Sequence, residues 1–263
     1  LEIVPDFDYS KDLHLHVSNN VLQTVRETFN SLDGATFIFC NSTDMIYNMM
    51  KQLGVLEESA VFCSTNSVKK LKNDKDVKFK HAYEDWDIKH MKRYNWLTSR
   101  FYNAVDIKLN EQPNVILLSN CYFSEHTMMD PYTDSIQACG RFRNGVSSIK
   151  HIVNLNSNLQ VRSKEEIRGY IRGLEHAHGI LVGYRDTATD AERREVWQEY
   201  IDNSPFSKYL VNGKKSYYKI DCDVDDELVK GYYSNKDLLC SIYKECAAFN
   251  VYMSEMIYKF GDY

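Results

Sequence analysis

Apolar and polar positions follow two alternating rhythms over the first 155 residues of the chain. Leu13, Leu15 and Val17 alternate with His14 and His16, which predicts a strand. Past Ser18, read as an N-cap, Val21, Leu22, Val25 and Phe29 recur at helical spacing as far as Gly34. Thr36 to Cys40 is a continuous apolar run, the pattern of a strand buried on both faces. Asn41, Ser42, Thr43 and Asp44 open a second helix, with Ile46, Met49, Met50 and Leu53 on one face and Gly54 as its stop. Ala60 to Cys63 reads as another strand, and Ser64 to Asn66 cap a helix through Val68 and Leu71. A charged stretch follows, with a strand over Phe79 to Tyr83 and a helical turn over Trp86 to Met91. Tyr94 to Thr98 is strand-like and ends in the polar turn Ser99-Arg100, and Val115 to Leu118 is a strong buried strand. Asp130 and Pro131 read as an N-cap and first helical position. Tyr132, Ile136 and Cys139 then mark the buried face of that helix, and Ile149 to Leu155 reads as a closing strand. Strands alternating with helices predict an α/β fold: a parallel sheet with right-handed crossovers and helices on both faces. In such sheets ligands bind beyond the carboxyl ends of the strands. Asn41, Ser42, Thr98, Ser99, Asn120 and the loop leading to Arg141 are expected there.

The rhythm changes after residue 159, so the expected division is a sheet domain over 1–159 and a mostly helical extension over 160–263. Ser163 caps a helix carrying Ile167, Ile171 and Leu174; Asp186 to Asp190 is a polar break; Ala191 to Ile201 is a second helix. Asn212-Gly213 between aromatic-rich arms is the strongest short hairpin signal in the chain. Asp225 to Tyr233 and Asn235 to Phe249 read as two more helices, packed outside the sheet. The first twelve residues, with Pro5, Asp6, Asp8 and Asp12, are acidic and irregular.

Composition narrows the partners. With 263 residues, 43% of them hydrophobic, one large or two small cores can form. A net charge of −5 rules out a global basic field, so a nucleic acid would have to be held by a local groove. Seven cysteines, an odd number with no Cys-x-x-Cys pair, read as reduced thiols of a cytoplasmic protein. No apolar run reaches the ~18 residues of a membrane span, so no membrane partner is expected.

Gln137 and Arg141 lie four residues apart and share a helix face. Arg143 can converge with Arg141 only if the helix ends near Gly140. Two arginines at a helix end suit bidentate recognition of phosphate. The N–H groups opening the helix at Asn41 and Ser42 form a second anion-seeking end. Other chemistry is poorly supported. Gly213-Lys214-Lys215-Ser216 lacks the first glycine of a phosphate-binding loop and falls in the expected hairpin. Asp221, Asp223 and Asp225 imitate a calcium loop, but Asp226 and Tyr232 stand where the turn glycine and the bidentate glutamate belong. His14, His16, His176 and His178 have no companion ligands at zinc spacing, and no cysteine has an activating neighbour.

Gln137-Ala-Cys-Gly140-Arg141 resembles the Gln/His-x-x-Gly-Arg-x-x-Arg motif of superfamily-two helicases. The second arginine of that motif would stand at Asn144; here Arg143 comes one residue early. Residues 37–43 are similar to the fourth motif of that family, and Trp96 to Arg100 followed by Ala104, Val105 and Asp106 to its fifth, with Ala104 where the family commonly has glycine. The resemblance implies that the α/β sheet is RecA-like and that the chain is the second motor domain of an ATP-dependent helicase or translocase. Arg141, Arg143 and Gln137 would then act on the γ-phosphate of ATP held with Mg²⁺ by an N-terminal RecA-like domain. Asn41, Ser42, Thr98, Ser99 and Arg100 would touch DNA or RNA phosphates, and Asp106 would couple the two domains. Phosphoryl transfer needs a phosphate cradle and a metal site as well, so this chain alone is not expected to hydrolyse ATP. The alternatives are a Rossmann-like transferase domain binding a nucleotide donor at the same sheet edge, or a non-catalytic interaction module.

Overall fold

A computed structural model describes residues 9–73, 78–103 and 105–259. The acidic segment with Pro5, Asp6 and Asp8 lies outside the described residues, as does Ala104. The chain divides into two compact units, Leu1–Asn158 with Tyr232–Tyr263, and Leu159–Gly231.

The first unit is built on a sheet of eight strands, every adjacent pair parallel. In chain order these are β1 (Lys11–Ser18), β2 (Thr36–Phe39), β3 (Ser59–Phe62), β4 (Ala82–Tyr83), β5 (Tyr94–Leu97), β6 (Asn114–Ser119) and β7 (Ser148–Val153), with β10 (Phe249–Met256) joining from the tail. They lie side by side in the order β10-β1-β7-β6-β2-β5-β3-β4. The continuous apolar runs sit in the middle: all residues of β2, β3, β5 and β6 are buried, as a parallel sheet covered on both faces requires.

Helices α1 (Val21–Ser31), α2 (Thr43–Leu53) and α3 (Thr65–Asn73) cover one face. Val25, Phe29, Met45, Ile46, Met50 and Leu71 meet Ile38, Val61, Trp96 and Ile116 in one buried cluster. Ser42 caps α2 by accepting from the Met45 N–H, and Gly54 closes it in the left-handed conformation at φ 73°. The cap of α1 is Asn20, whose side chain accepts from the Gln23 N–H, rather than Ser18. Ser18 instead takes the Asn20 N–H and pairs with Thr24 at 2.7 Å.

On the other face lies α4 (Asp134–Gly140), which begins three residues later than its proline suggested. Asp130 folds the preceding turn by accepting from the Tyr132 N–H at 3.1 Å and the Thr133 hydroxyl at 2.8 Å. As a result Ser135, Ala138 and Cys139 are the buried positions, while Tyr132 is exposed.

The tail differs most from its expected form. Helices α5 (Lys164–Thr187) and α6 (Ala191–Asp202) flank the polar break, and Ser163 forms a full capping box with Glu166 on α5. The short hairpin of β8 (Leu210–Val211) and β9 (Lys214–Lys215) turns at Asn212 and Gly213, both at positive φ. Helix α7 (Tyr217–Tyr232) starts eight residues earlier than expected. Its Ile220 and Val224 pack with Ile167, Ile171, Phe206 and Tyr209 into the core of the second unit. The extension does not run to the end of the chain. Helix α8 (Lys236–Glu245) belongs to the first unit, and residues 249–256, read partly as helix and partly as tail, form β10 beside β1. Among the described residues no helix is long and apolar enough to cross a membrane.

Candidate functional site

Adjacent strands β2 and β6 send the chain in opposite directions. From β2 it passes through α2, on one face, to β3; from β6 it passes through α4, on the other, to the adjacent β7. The carboxyl edge at such a switch point is where a crevice opens in an open α/β sheet. A cleft of about 440 Å³ lies there. It is walled by Asn41, Ser42 and Asp44 after β2, Ser64 and Ser67 after β3, Thr98, Ser99 and Arg100 after β5, and Phe123, Ser124 and His126 after β6. The five residues expected to touch nucleic acid, scattered over 60 positions of sequence, therefore share one cavity.

Hydrogen bonds brace its walls. Asn41 accepts from the Ser99 N–H at 3.3 Å and donates to the His126 carbonyl at 3.3 Å, joining three loops. Thr98 is buried and its N–H donates to the Phe62 carbonyl at 3.1 Å. Arg100 is half-exposed and faces Asp85 at 3.4 Å and Glu84 at 3.8 Å. Asp44 is neutralised by Lys70 at 2.6 Å. Because Arg100 and Lys70 are matched by acids, the anion-seeking character of the cleft rests on bare helix ends and hydroxyls more than on net charge. Phe123, Ser124 and His126 lie in the loop after β6 that the sequence places at this edge, although only Asn120 is singled out there by residue type. Ser64 and Ser67, in the cap region of α3, carry no sequence signal beyond capping.

Gln137, Arg141, Arg143 and Asp106 form a second group. Helix α4 does end at Gly140, the condition for Arg143 to turn toward Arg141. Residues 105–107 run alongside 141–143: the Ile107 N–H donates to the Arg141 carbonyl at 2.9 Å, and the Arg143 N–H to the Ile107 carbonyl at 3.1 Å. Arg141 is half-buried, with Nε donating to the Gln137 carbonyl at 2.8 Å and one terminal nitrogen reaching the Asn103 and Val105 carbonyls at 3.3 and 3.5 Å. Arg143 is exposed and pairs with Asp106 at 2.6 Å. The acid of one motif and an arginine of the other are thus paired although they stand 37 positions apart in sequence.

A buried polar chain holds α4 in place. Ser135 Oγ on α4 lies 2.7 Å from Tyr243 Oη, which lies 2.8 Å from Nδ1 of His151. His151 Nε2 lies 3.0 Å from Ser119 Oγ, which donates to the Thr127 carbonyl. The Tyr233 hydroxyl donates to the Met129 carbonyl and accepts from its N–H, both at 2.8 Å. A neutral imidazole protonated at Nε2 satisfies every member. Burial, helped by nearby His16, pushes the pKa of His151 down to about 3, and burial, with Lys150 and His14 adjoining, pushes His16 down to about 4. Both groups ionise near 6.5 in the unfolded chain, which therefore binds protons that the native state refuses. Their stabilising contribution is complete above pH ~6.5 and erodes as the pH falls toward the native values. Each histidine adds up to about 1.4 kcal/mol per pH unit to that slope. Urea unfolding of His151→Gln between about pH 6 and 4 should show a slope shallower by about that amount. Parallel lines for variant and parent would contradict a neutral buried imidazole.

Burial pushes the thiols of Cys40, Cys63, Cys121 and Cys139 up to about 12, which makes them poor nucleophiles. All seven cysteines are free. Among the described residues no group of three or more His, Cys, Asp or Glu side chains is placed to hold a metal ion. No family model matches the chain, and no curated protein matches it.

Proposed function

We propose that this chain is the second motor domain of an ATP-dependent nucleic-acid helicase or translocase of the cytoplasm. The observation that carries the reading is the gathering of Asn41, Ser42, Thr98, Ser99 and Arg100 into one polar cleft at the switch point of a parallel sheet. The lacing of Arg141 and Arg143 to residues 103–107 adds to it. In this reading the cleft receives phosphates of a DNA or RNA strand. Main-chain N–H groups at the start of α2 and the hydroxyls of Ser42 and Ser99 supply short donors, with Thr98, whose own hydroxyl donates to the Phe62 carbonyl, in the wall behind them. Arg100 exchanges its carboxylate neighbours for a phosphate. Arg141 and Gln137, with Arg143 beside them, face the γ-phosphate of ATP bound with Mg²⁺ mainly by another RecA-like domain. Asp106, in contact with Arg143, relays movement between the domains.

A cleft of about 440 Å³ offers few phosphate contacts, so binding by this chain should be weak and salt-dependent. For single strands the logarithm of the binding constant should fall with log salt at a slope of about −2, roughly 0.7 per phosphate. Titration of a labelled oligonucleotide at two salt concentrations measures it. Ser99→Glu, which puts a carboxylate where a phosphate should sit, is expected to abolish binding, and Arg100→Ala to reduce the slope by about 0.7. Unchanged binding in both variants would remove the cleft as the nucleic-acid site. Binding of mononucleotides in preference to oligonucleotides would favour the transferase reading.

A further inference from the structure

The loop after β6 displays two neighbouring aromatic rings outward, Tyr122 at 70% and Phe123 at 46% exposure. The display is not slack. The Phe123 N–H donates to both the carbonyl and the side-chain oxygen of Asn120 at 3.1 Å, and the Ser124 N–H to the Asn120 carbonyl at 2.9 Å. Asn154 braces the turn by accepting from the Cys121 N–H and donating to Asn120, both at 2.7 Å. The turn is thereby fixed with both rings exposed, although burial of a large apolar side chain is favourable. Among the described residues neither ring packs on another aromatic ring. Phe123 does have a defined neighbourhood: it lines the cleft together with Ser99, Arg100, Ser42 and His126.

We infer that Phe123 is a base-stacking platform, so that the ligand of the cleft is a single-stranded nucleic acid read through a base as well as through its phosphates. This deepens the reading of the cleft as a phosphate site and rests on it. A flat apolar face beside anion-seeking groups matches one unpaired nucleotide, whose base offers a π-face and whose phosphate offers charge. A duplex hides its base faces by stacking, so the arrangement selects strands with free bases. Stacking is indifferent to base identity, so the site tolerates sequence while requiring bases.

The test compares a labelled oligothymidylate with an abasic oligodeoxynucleotide of the same length, titrated onto the 263-residue chain and its variants. The parent should bind oligothymidylate about tenfold or more tightly than the abasic strand. Phe123→Ala should erase that advantage and leave abasic binding unchanged, and Phe123→Trp should preserve it. Because the ring is half-exposed, both variants should melt with the parent. Equal binding of the two strands by the parent overturns the stacking role while leaving the phosphate reading intact. So does a Phe123→Ala variant that binds oligothymidylate like the parent, as a ring used for protein docking would, or one that weakens both strands alike. If Ser99→Glu binds both strands as the parent does, the phosphate reading fails and the stacking role falls with it.

Discussion

If the chain is the proposed motor domain, replacing Arg141 with alanine in a protein that also carries the proposed ATP-holding domain is expected to lower nucleic-acid-stimulated ATP hydrolysis by roughly 10³-fold or more, the range an arginine finger contributes. The guanidinium is held by three main-chain carbonyls, those of Gln137, Asn103 and Val105. That anchoring limits its rotamers before ATP arrives, which is what electrostatic preorganisation at a developing charge requires. Lysine cannot reproduce it, because one ammonium lacks the fork that reaches carbonyls and phosphate together. The guanidinium's bonds to these carbonyls are charge-assisted, each worth about 1.5–3 kcal/mol at most, so the variant's melting curve is needed to separate lost chemistry from lost structure. Arg143 has a looser hold. Its pair with Asp106 is half-exposed on both sides, and such pairs contribute about 1 kcal/mol or less. It can leave Asp106 at little cost, and since α4 ends at Gly140 it can turn the same way as Arg141. Arg143→Ala should therefore also depress turnover strongly. Steady-state ATPase of the two variants decides the matter. Activity of Arg141→Ala within about twofold of the parent would refute the assignment of this helix end to ATP.

The second large effect is on stability. Tyr233 is fully buried, and its hydroxyl closes both polar groups of Met129 while lying 3.3 Å from Ser119. Tyr233→Ala should cost about 3–5 kcal/mol, the range for deleting a large aromatic from a core. Tyr233→Phe keeps the ring but leaves the Met129 N–H and C=O unpaired, a cost of about 1–3 kcal/mol. Burial raises the phenol's pKa further above its ordinary value, so the hydroxyl is a neutral donor at neutral pH. Denaturant unfolding should rank parent, Phe and Ala in that order. A Phe variant as stable as the parent would mean that the hydroxyl is not needed to hold residues 119–135. That segment links the loop carrying Phe123 to the helix carrying Arg141, so the tail of the chain, through Tyr233 and Tyr243, positions both candidate sites.

Local chemistry sufficed for much of this molecule. The runs Thr36 to Cys40 and Val115 to Leu118 identify central strands of a parallel sheet, because only a strand covered on both faces can bury consecutive side chains. Ser42 and Gly54 bracket α2 because a hydroxyl acceptor and a left-handed residue are what the two ends of a helix need. Asn212-Gly213 turns a hairpin because both residues tolerate positive φ. The candidate residues at the cleft were legible for the same reason: small polar groups that follow a buried strand fall at its carboxyl edge. Tertiary structure decided the remainder. Phe249–Met256 carries no clean alternation, since an edge strand half in water is not held to one. Its partner β1 lies more than 230 residues away, beyond any local signal. Asp130 shows the same limit on a smaller scale: its side chain was bound to cap something, and folding chose a turn three residues ahead of α4. His151, Tyr233 and Tyr243 look unremarkable in sequence and become a single hydrogen-bonded chain only when strand, loop and tail close over them. Periodicity and capping depend on neighbours within about two turns of chain, whereas strand order, the pairing of Arg143 with Asp106 and the assembly of one cleft from four loops depend on which buried surfaces meet.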